Sequence, residues 1–472
     1  MDRSLELKDK NIGSLLLSFS IPAIVGMLVN SLYNIVDRIF LGQGVGSIAI
    51  AATTVAFPIM IILMAVSVLV GIGATALISI RLGEQRIEEA EKIAGNAAAM
   101  FIILPATCAV IFELYPEPIL KAFGASPTVL PYAKEFLRII MLGSVFGAIS
   151  MGMNNFIRAE GNPNRAMSTQ ILGAFINIIL NYLFVMRLGF GIKGSAMATV
   201  IAQFISAMWV LSYFFGGKSL VKIRFKNLIP DFRVLMSIMA IGFAPFGMQI
   251  ANSIQNVILN KTLQYYGGDQ ALAAVGIVMA IGTIMIMPLI GLNQGAQPII
   301  GFNYGARQYG RVKETLRIAV WAATVFCIAG FFAIQLGATA IVRMFTGDDV
   351  ELTVLAVHAL KTFFLMLPIV GFQIVCAGYF QAVGKALQST ILSLSRQVLF
   401  LIPLLLTLPR FWGIEGVWRT PPIADVLSVA LTGTLIMLEM KKMNKLQAVM
   451  PQGKTGQEAE QNLEFSTSCP RP

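Results

Sequence analysis

The sequence predicts an all-α polytopic membrane protein with twelve transmembrane helices, arranged as two six-helix repeats. The first observation is composition: 56% of the 472 residues are hydrophobic and 12% are charged, whereas about a quarter of the residues are charged in soluble proteins. The second is a mean hydropathy of +0.76, concentrated in apolar runs of about 20 residues that are each long enough to cross a hydrocarbon core. The third is an internal repeat that relates the two halves of the chain.

Twelve apolar segments, bounded by charged residues, glycine or proline, are the predicted transmembrane helices. In lipid, runs of this length satisfy their backbone hydrogen bonds as helices, whereas the strands of a membrane barrel need only about 10 residues. The first run is longer than a signal-peptide core of about 7–15 residues, so we expect it to remain as the first helix. In chain order the segments lie near residues 15–41, 51–80, 92–113, 134–156, 166–186, 194–215, 234–260, 271–300, 315–336, 356–380, 388–408 and 414–438.

The basic residues predict the orientation of these helices. The net charge of +11 does not indicate a nucleic-acid partner, because the basic residues lie in short loops between apolar runs. One alternating set of loops holds most of them, including Arg158 and Arg165, and loops rich in lysine and arginine face the cytoplasm. The sequence therefore predicts a protein of the cell membrane, surrounded by lipid, with both termini cytoplasmic.

Matching motifs recur in the two halves at an offset of 222 or 223 residues. GATALISIRLG at 73–83 aligns with GAQPIIGFNYG at 295–305, and Asp37 aligns with Asn260. Because each half has an even number of helices, both halves have the same orientation in the membrane, as in the parallel repeats of some secondary transporters. The alternative explanation of the repeat is a duplication that is kept only for packing. We predict that the loop at 216–233 is the hinge between the two halves of the chain. The predicted domains are an N-terminal lobe (1–215), the inter-lobe loop (216–233), a C-terminal lobe (234–440) and a polar cytoplasmic tail (441–472).

The sequence contains no catalytic or metal-binding pattern. Its four cysteines have no paired spacing, and a single histidine, His358, cannot form a metal cluster. The stretch GGKS at 216–219 lacks the earlier glycine of a phosphate-binding loop, because Ser212 stands in that position. We therefore expect neither enzymatic activity nor a cofactor, and we expect any transport to be driven by an ion gradient.

Polar side chains recur along single faces of several predicted helices. In the first helix Asn30, Asn34 and Asp37 share one face, and the fifth, sixth and seventh helices carry similar stripes. Polar groups at membrane depth face the bundle interior or water. The stripes thus predict a hydrated central cavity, although hydrogen bonding between helices, worth about 0.6 kcal/mol per contact, is the alternative. The predicted lining residues are Asn30, Asn34, Asn154, Gln203, Asn252, Asn256, Asn260 and Gln297.

Three charged residues lie inside predicted helices and need separate explanations. Asp37 is the only acid in the first apolar run; it is either an interfacial residue beside Arg38 or part of the lobe interior. Arg396 and Asp425 lie in the eleventh and twelfth helices. We predict that they form a buried ion pair, since buried charges are normally paired, and both a structural and a functional role for this pair stay open.

Four motifs resemble those of the multidrug and toxic compound extrusion (MATE) family. They are YNIVDRIFLG at 33–42, GMNNFIRAEGNP at 152–163, GAFINIILN at 173–181 and NQGAQPIIGFNYGAR at 293–307. The resemblance implies two six-helix lobes in a V-shaped antiporter, which expels amphipathic and often cationic compounds in exchange for protons or sodium ions. It also implies a cation site in the N-terminal lobe, formed here by Asp37, Asn177, Asn181 and Thr199.

One position of that implied cation site departs from the family, which usually has an aspartate where this sequence has Asn181. Asn181 keeps an oxygen but lacks the charge, and hard cations prefer carboxylate and carbonyl oxygens. Asp37 is then the only strong anion of the site, and the surrounding apolar helices disfavour its charged form. The sequence thus favours proton coupling, with sodium as the alternative, and it predicts that protonation of Asp37 bends or straightens the first helix around Pro22.

Other functions remain as alternatives to a monomeric drug antiporter. A flippase or exporter of lipid-linked saccharides, or of another metabolite, could use the same twelve-helix plan, but it would predict a large basic cavity. A membrane-embedded enzyme would need a catalytic constellation that the sequence lacks. A structural membrane protein would have no reason for matched polar stripes. We therefore expect the binding partners to be membrane lipids and small amphipathic or cationic substrates.

Overall fold

The computed structural model describes residue 7 and residues 10–217, 219–346 and 349–449; the side chains of residues 34, 38, 47, 50, 448 and 449 lie outside this description. Over the described ranges the chain forms helices joined by short loops and contains no strand. The α-helices are α1 (Ile12–Gly44), α2 (Ser47–Gly83), α3 (Ile87–Leu114), α4 (Pro116–Ala122), α5 (Leu130–Ala159), α6 (Pro163–Asn181), α7 (Gly191–Phe215), α8 (Phe232–Gly305), α9 (Tyr309–Thr346), α10 (Val350–Phe363), α11 (Leu367–Ala382), α12 (Ala386–Leu394), α13 (Ile402–Trp412) and α14 (Ile414–Val449). Two π-helical segments (Tyr182–Arg187 and Ser395–Leu401) and one 3₁₀ turn (Phe225–Leu228) complete the order.

These helices account for twelve membrane spans. In the described part of the chain, ten helices or helix runs are long and apolar enough to cross a membrane, and the bent pair α10 and α11 adds an eleventh. The twelfth comes from α8, whose 74 residues correspond to about 110 Å of helix, far more than one bilayer crossing. Its backbone leaves the helical region at Gly268 (φ 63°, ψ −157°), a conformation that glycine adopts without strain. α8 therefore makes two spans, α8a (232–267) and α8b (269–305).

The observed helices differ from the predicted segments in four ways. Helix α2 covers Ser47–Gly83, where the apolar run predicted 51–80, so it extends beyond the predicted segment at both ends. The tenth span is broken by a bend of 50° between α10 and α11, and the eleventh contains the π-helical segment Ser395–Leu401. Residues 441–449 of the predicted tail belong to α14, whereas 450–472 lie outside the described residues.

The spans form two six-helix groups, which we call the N-terminal set (α1–α7) and the C-terminal set (α8–α14). One continuous cluster of buried apolar residues extends through the C-terminal set and into one half of the N-terminal set, where it includes Phe19, Ile78, Phe101 and Phe156. A second cluster, which includes Leu41, Phe112 and other residues of the opposite half, is confined to the N-terminal set. The two sets thus share a core at one face only, and the molecule has a V-shaped outline.

The described ends of the chain lie together on that shared face. Arg311, at the start of α9, donates from Nη2 to the carbonyl of Lys10 at 2.7 Å, and Lys313 donates to Gln447 Oε1 at 2.7 Å. Contacts among helix ends and loops bring the loops at 84–86, 160–162, 219–231, 306–308 and 383–385 to this end of the molecule as well. We call this end the basic face, because it carries most of the loop lysines and arginines.

Glycines allow the backbones of the two sets to approach closely near the basic face. A Cβ atom built on Gly242 of α8a would lie 1.7 Å from the carbonyl oxygen of Leu69 in α2, and one on Gly73 would lie 2.1 Å from that of Ile238. A Cβ on Gly83 would lie 2.0 Å from the carbonyl oxygen of Phe302 in α8b. Only glycine fits at such distances, so these contacts hold α2 against both halves of α8.

The loop between the two sets is bound to the N-terminal set through a buried carboxylate. Glu160 accepts hydrogen bonds from Tyr213 Oη at 2.8 Å and from Ser219 Oγ at 2.5 Å. The backbone amides of Leu220 and Val221 each donate to it at 3.1 Å. Burial raises the pKa of the Glu160 carboxyl, and these donors oppose the rise. The first part of the loop is therefore anchored beside the ends of α5 and α7.

The second part of the loop is anchored on α3. Glu91 pairs with Arg224 at 2.8 Å, and Lys92 pairs with Asp231 at 2.5 Å. The hydrogen bond from Lys92 lowers the pKa of the Asp231 carboxyl. The loop is thus bound to the N-terminal set up to Asp231, the residue that caps α8, and its role as a hinge stays a prediction.

Candidate functional site

Two hydrogen-bonded groups of polar side chains lie inside the N-terminal set, where α1, α6 and α7 meet. Ser195 Oγ of α7 donates to Asp37 Oδ1 of α1 at 3.0 Å. Asn177 Nδ2 of α6 donates to Thr199 Oγ1 of α7 at 3.2 Å, and Asn181 Nδ2 donates to Asn177 Oδ1 at 3.0 Å. We call these five residues the Asp37 cluster. It contains all four residues of the implied cation site.

Sequence reasoning missed one member of this cluster, Ser195. It lies one turn before Thr199 on α7 and is fully buried. The polar stripe that the sequence shows on this helix, formed by Thr199, Gln203 and Ser206, begins one turn after Ser195. Extending the stripe at helical spacing would have found Ser195.

Local backbone geometry presents an unpaired oxygen to the cluster. Asn181 is the last residue of α6, and the chain continues into the π-helical segment Tyr182–Arg187. Single wide turns of this kind are frequent at functional sites. Asn181 Oδ1 is buried and accepts no hydrogen bond from any described residue. Because buried polar atoms are normally paired, this oxygen is available to a cation or a water molecule.

The donor set of the Asp37 cluster suits a proton or a small hard cation. It offers carboxylate, amide and hydroxyl oxygens, the ligands that hard cations prefer. The described residues contain no group of three histidine, cysteine or acidic side chains that could hold a transition metal. With one carboxylate, the cluster can neutralise one positive charge.

The C-terminal set has no comparable cluster at the repeat-related positions. The counterpart of Asp37 is Asn260, which is exposed near the end of α8a. At an offset of 222, Asn177, Asn181 and Thr199 correspond to Leu399, Pro403 and Pro421. The two sets therefore share a fold but not an ion-binding constellation.

The predicted cavity residues occupy three kinds of position. Asn30, Asn256 and Asn260 are exposed, and Gln203 is half-buried, whereas the side chain of Asn34 lies outside the described part. Asn252 accepts a hydrogen bond from Gln397 at 2.5 Å. Gln297 is buried and bonds to Gln381 of α11 at 3.4 Å. Asn252 and Gln297 are engaged within the C-terminal set, and for the exposed group a place in the cavity stays a prediction.

Asn154, another predicted lining residue, lies in a buried position, and its place in the cavity stays a prediction. Its Nδ2 atom donates to the carbonyl of Ala166 at 3.1 Å, and the side chain is 2% exposed. Asn154 thus joins the end of α5 to the start of α6. A sequence motif does not show which side of a helix faces a neighbour.

Arg158 also differs from its interpretation as a loop residue that sets orientation. The side chain is 3% exposed, because α5 extends to Ala159 and turns this residue inward. Its Nη1 atom donates to Asn155 Oδ1 at 2.9 Å and to Gln294 Oε1 of α8b. Arg158 and Gln297 both line a small internal cavity between the two sets.

Arg396 and Asp425 lie in contact inside the C-terminal set. Arg396 Nε donates to Asp425 Oδ1 at 2.5 Å, and the Asp425 side chain is 5% exposed. Arg396 belongs to the π-helical segment Ser395–Leu401 and Asp425 to α14. The contact neutralises both charges and joins these two elements.

Comparison with known proteins identifies the family. The MatE family model matches residues 22–183 and again 245–407, one match in each set, in agreement with the repeat. The chain is 26% identical to the multidrug export protein MepA of Staphylococcus haemolyticus (strain JCSC1435) over 424 residues, which cover 90% of this chain and 93% of that protein. It is also 26% identical to MepA of Staphylococcus aureus (strain MSSA476), over 89% of this chain and 92% of that protein.

Solved structures have the same architecture. A MATE crystal structure in the bent conformation superposes with a TM-score of 0.89 at 24% identity, over 95% of this chain and 99% of that chain. The MATE multidrug transporter DinF-BH, solved in complex with a ligand, superposes with a TM-score of 0.83 at 41% identity, over 90% of this chain and 95% of that chain. The fold, the doubled family match and these similarities agree, and the chain belongs to the MATE family of multidrug efflux transporters.

Proposed function

We propose that the protein exports amphipathic or cationic small molecules across the plasma membrane in exchange for protons. The observation that carries this proposal is the Asp37 cluster, a half-buried carboxylate among neutral oxygens inside one set of helices. Family membership supplies the transport class, and the MepA relatives are named multidrug export proteins. DinF-BH, at 41% identity, is described as a multidrug transporter and was solved in complex with a ligand, which supports a small-molecule cargo.

Protons are the coupling ion that the composition of the cluster favours. A sodium ion would have one carboxylate, Asp37, and four neutral side chains as partners. Protonation of Asp37 neutralises its charge and needs no further ligand. Sodium remains the second candidate, because Asn181 Oδ1 is an unpaired buried oxygen.

Alternating access is the transport mechanism that the two-set architecture supports. The proposed boundaries are 1–215 and 234–440 for the two lobes, with 216–233 between them and 441–472 as a tail. Both termini are proposed to be cytoplasmic, since basic loops stay inside. The basic face would then be the cytoplasmic face, closed by glycine contacts such as Gly242 against Leu69. The lobes would rock against each other to expose the cleft to either side.

Accumulation of a fluorescent lipophilic cation in intact cells tests this proposal. Cells that express the protein should accumulate less of the cation than cells with an empty vector, and a protonophore should abolish the difference. Equal accumulation in both strains, with and without the protonophore, would contradict drug–proton antiport and would favour an exporter of another metabolite.

A further inference from the structure

Arg158 is a buried cation held by neutral amide oxygens. Its Nη1 atom donates to Asn155 and Gln294. When the Gln170 amide is oriented to satisfy its neighbours, its oxygen accepts from Arg158 Nη2 at 3.0 Å. No carboxylate among the described residues pairs with this guanidinium. Neutral acceptors offset only part of the cost of burying a charge, so the arrangement needs a reason other than stability.

The contact between Arg158 and Gln294 joins the two sets beside a close approach of their backbones. Gln294 lies in α8b between Gly291 and Gly295, whose built Cβ atoms would meet backbone atoms of Ile24 and Ser20 in α1 at 2.7 Å. Arg158 belongs to the N-terminal set. The bond therefore exists only while α8b lies against α1 near the basic face, and it must break when the sets part there.

The same guanidinium is connected to α1, the helix that carries Asp37. In the same orientation of its side-chain amide, Gln170 donates from Nε2 to the carbonyl of Gly26 at 3.2 Å. Gly26 lies one turn after Pro22, and a Cβ atom built on it would lie 1.7 Å from the Gln170 amide. Only glycine admits Gln170 at this position. Arg158 thus contacts the opposite set directly and α1 through one intervening side chain.

We propose that Arg158 is a positioning residue that holds the basic face closed and connects this closure to α1, an inference that rests on the proposed transport function. We call Arg158, Gln170 and Gln294 the Arg158 latch. When the sets part at the basic face, the guanidinium loses Gln294 and regains water. Because the guanidinium is better solvated in the open state, the closed state does not become too stable to open. A movement of α1 around Pro22 shifts Gly26 and thereby loosens the latch.

Distance measurements on the purified protein in lipid nanodiscs, without cargo, test this proposal. Labels are attached through unnatural amino acids at Glu88 of α3 and Glu314 of α9, two exposed residues near the basic face on opposite sets. Gln294→Ala removes one acceptor from a buried charge, so the ratio of open to closed molecules should rise about tenfold or more. Gln294→Glu supplies a carboxylate to the guanidinium and should lower this ratio by a similar factor.

Two further variants separate the latch from general instability. Gln335→Ala removes an amide that bonds within the C-terminal set, to the carbonyl of Lys361, and it should leave the ratio unchanged. In an Arg158→Gln background, Gln294→Ala should change the ratio less than twofold, because the two residues act as a pair. An unchanged ratio in Gln294→Ala, shifts in the same direction for both Gln294 variants, or an undiminished effect in the Arg158→Gln background would overturn the proposal. These distances require no transport, so failure of the proposed function would leave their outcome unaffected.

Discussion

At the scale of single residues, the chemistry of the Asp37 cluster depends on how few of its members are charged. Asp37 supplies the one carboxylate, and Ser195, Thr199 and two asparagines supply neutral oxygens. A site of this kind can take up one proton or one monovalent cation. A second carboxylate would instead favour a bound cation, because two close carboxylates repel each other unless a positive charge lies between them.

Asn181→Asp should therefore convert the cluster towards sodium binding. The new carboxylate would replace an amide that already directs a buried oxygen into the site, and ligand charge raises the affinity for hard cations. Titration calorimetry on the purified protein should show sodium binding at least roughly tenfold tighter than in the unaltered chain. Asn260→Asp adds the same charge at the repeat counterpart of Asp37 and should not change sodium binding. Equal affinities in all three proteins would argue against a cation role for the cluster.

Most residues of the Asp37 cluster could be predicted from the sequence, whereas the burial of Arg158 could not. Asp37, Asn177, Asn181 and Thr199 belong to motifs or stripes, and the structure brings them together. Their part in ion coupling stays a prediction. The sequence pattern predicts a loop position for Arg158, because a charge at the end of an apolar run is usually solvated. Its burial follows from one further helical turn and from amides contributed by three helices, which no local pattern contains.

At the scale of helices, the close contact between α2 and α8 depends on glycines rather than on large side chains. Interfaces between membrane helices are enriched in small residues, because these let backbones approach. Gly242 and Gly73 of the two helices face carbonyl oxygens of the opposite helix. The closed basic face is thus built from backbone contacts, which leave little space for any added atom.

Gly242→Ala should disrupt this contact. Its Cβ atom would lie 1.7 Å from the Leu69 carbonyl oxygen, so the helices must separate, at a cost of about 1–3 kcal/mol in the free energy of unfolding. Thermal unfolding in nanodiscs should show a lower melting temperature. Gly276→Ala, at a glycine of the same helix with no neighbour within 4 Å, should be neutral or slightly stabilising, because alanine favours helix. Equal melting temperatures for the two variants would contradict the packing described for α2 and α8.

Hydropathy predicted where the helices lie but not how they are interrupted. Apolar runs and charged boundaries locate all twelve spans, because a membrane span must be long and apolar. The left-handed Gly268 joins α8a and α8b without a loop, and the bend before α11 and the two π-helical segments depend on tertiary contacts. The anchoring of the inter-lobe loop by Glu160 likewise involves residues about 60 positions apart. A reading of local sequence cannot supply such contacts.

At the scale of the whole molecule, two halves of common origin have become different. The family model matches both halves, yet the Asp37 cluster lies in the N-terminal set and the Arg396–Asp425 contact lies in the C-terminal set. The parallel repeat was visible in the sequence, because its glycine-rich motifs recur at a nearly constant offset. The unequal chemistry follows from particular replacements, such as Asn260 for Asp37.

Transport by reconstituted vesicles under an imposed pH gradient tests the central claim most directly, namely that Asp37 couples proton movement to export. The unaltered protein should move a fluorescent lipophilic cation when the gradient is applied. Asp37→Asn has nearly the same shape but cannot exchange a proton, and its gradient-driven transport should fall to background. Asn260→Asp, the control at the repeat counterpart, should transport as the unaltered protein does. Full gradient-driven transport by Asp37→Asn would contradict the account.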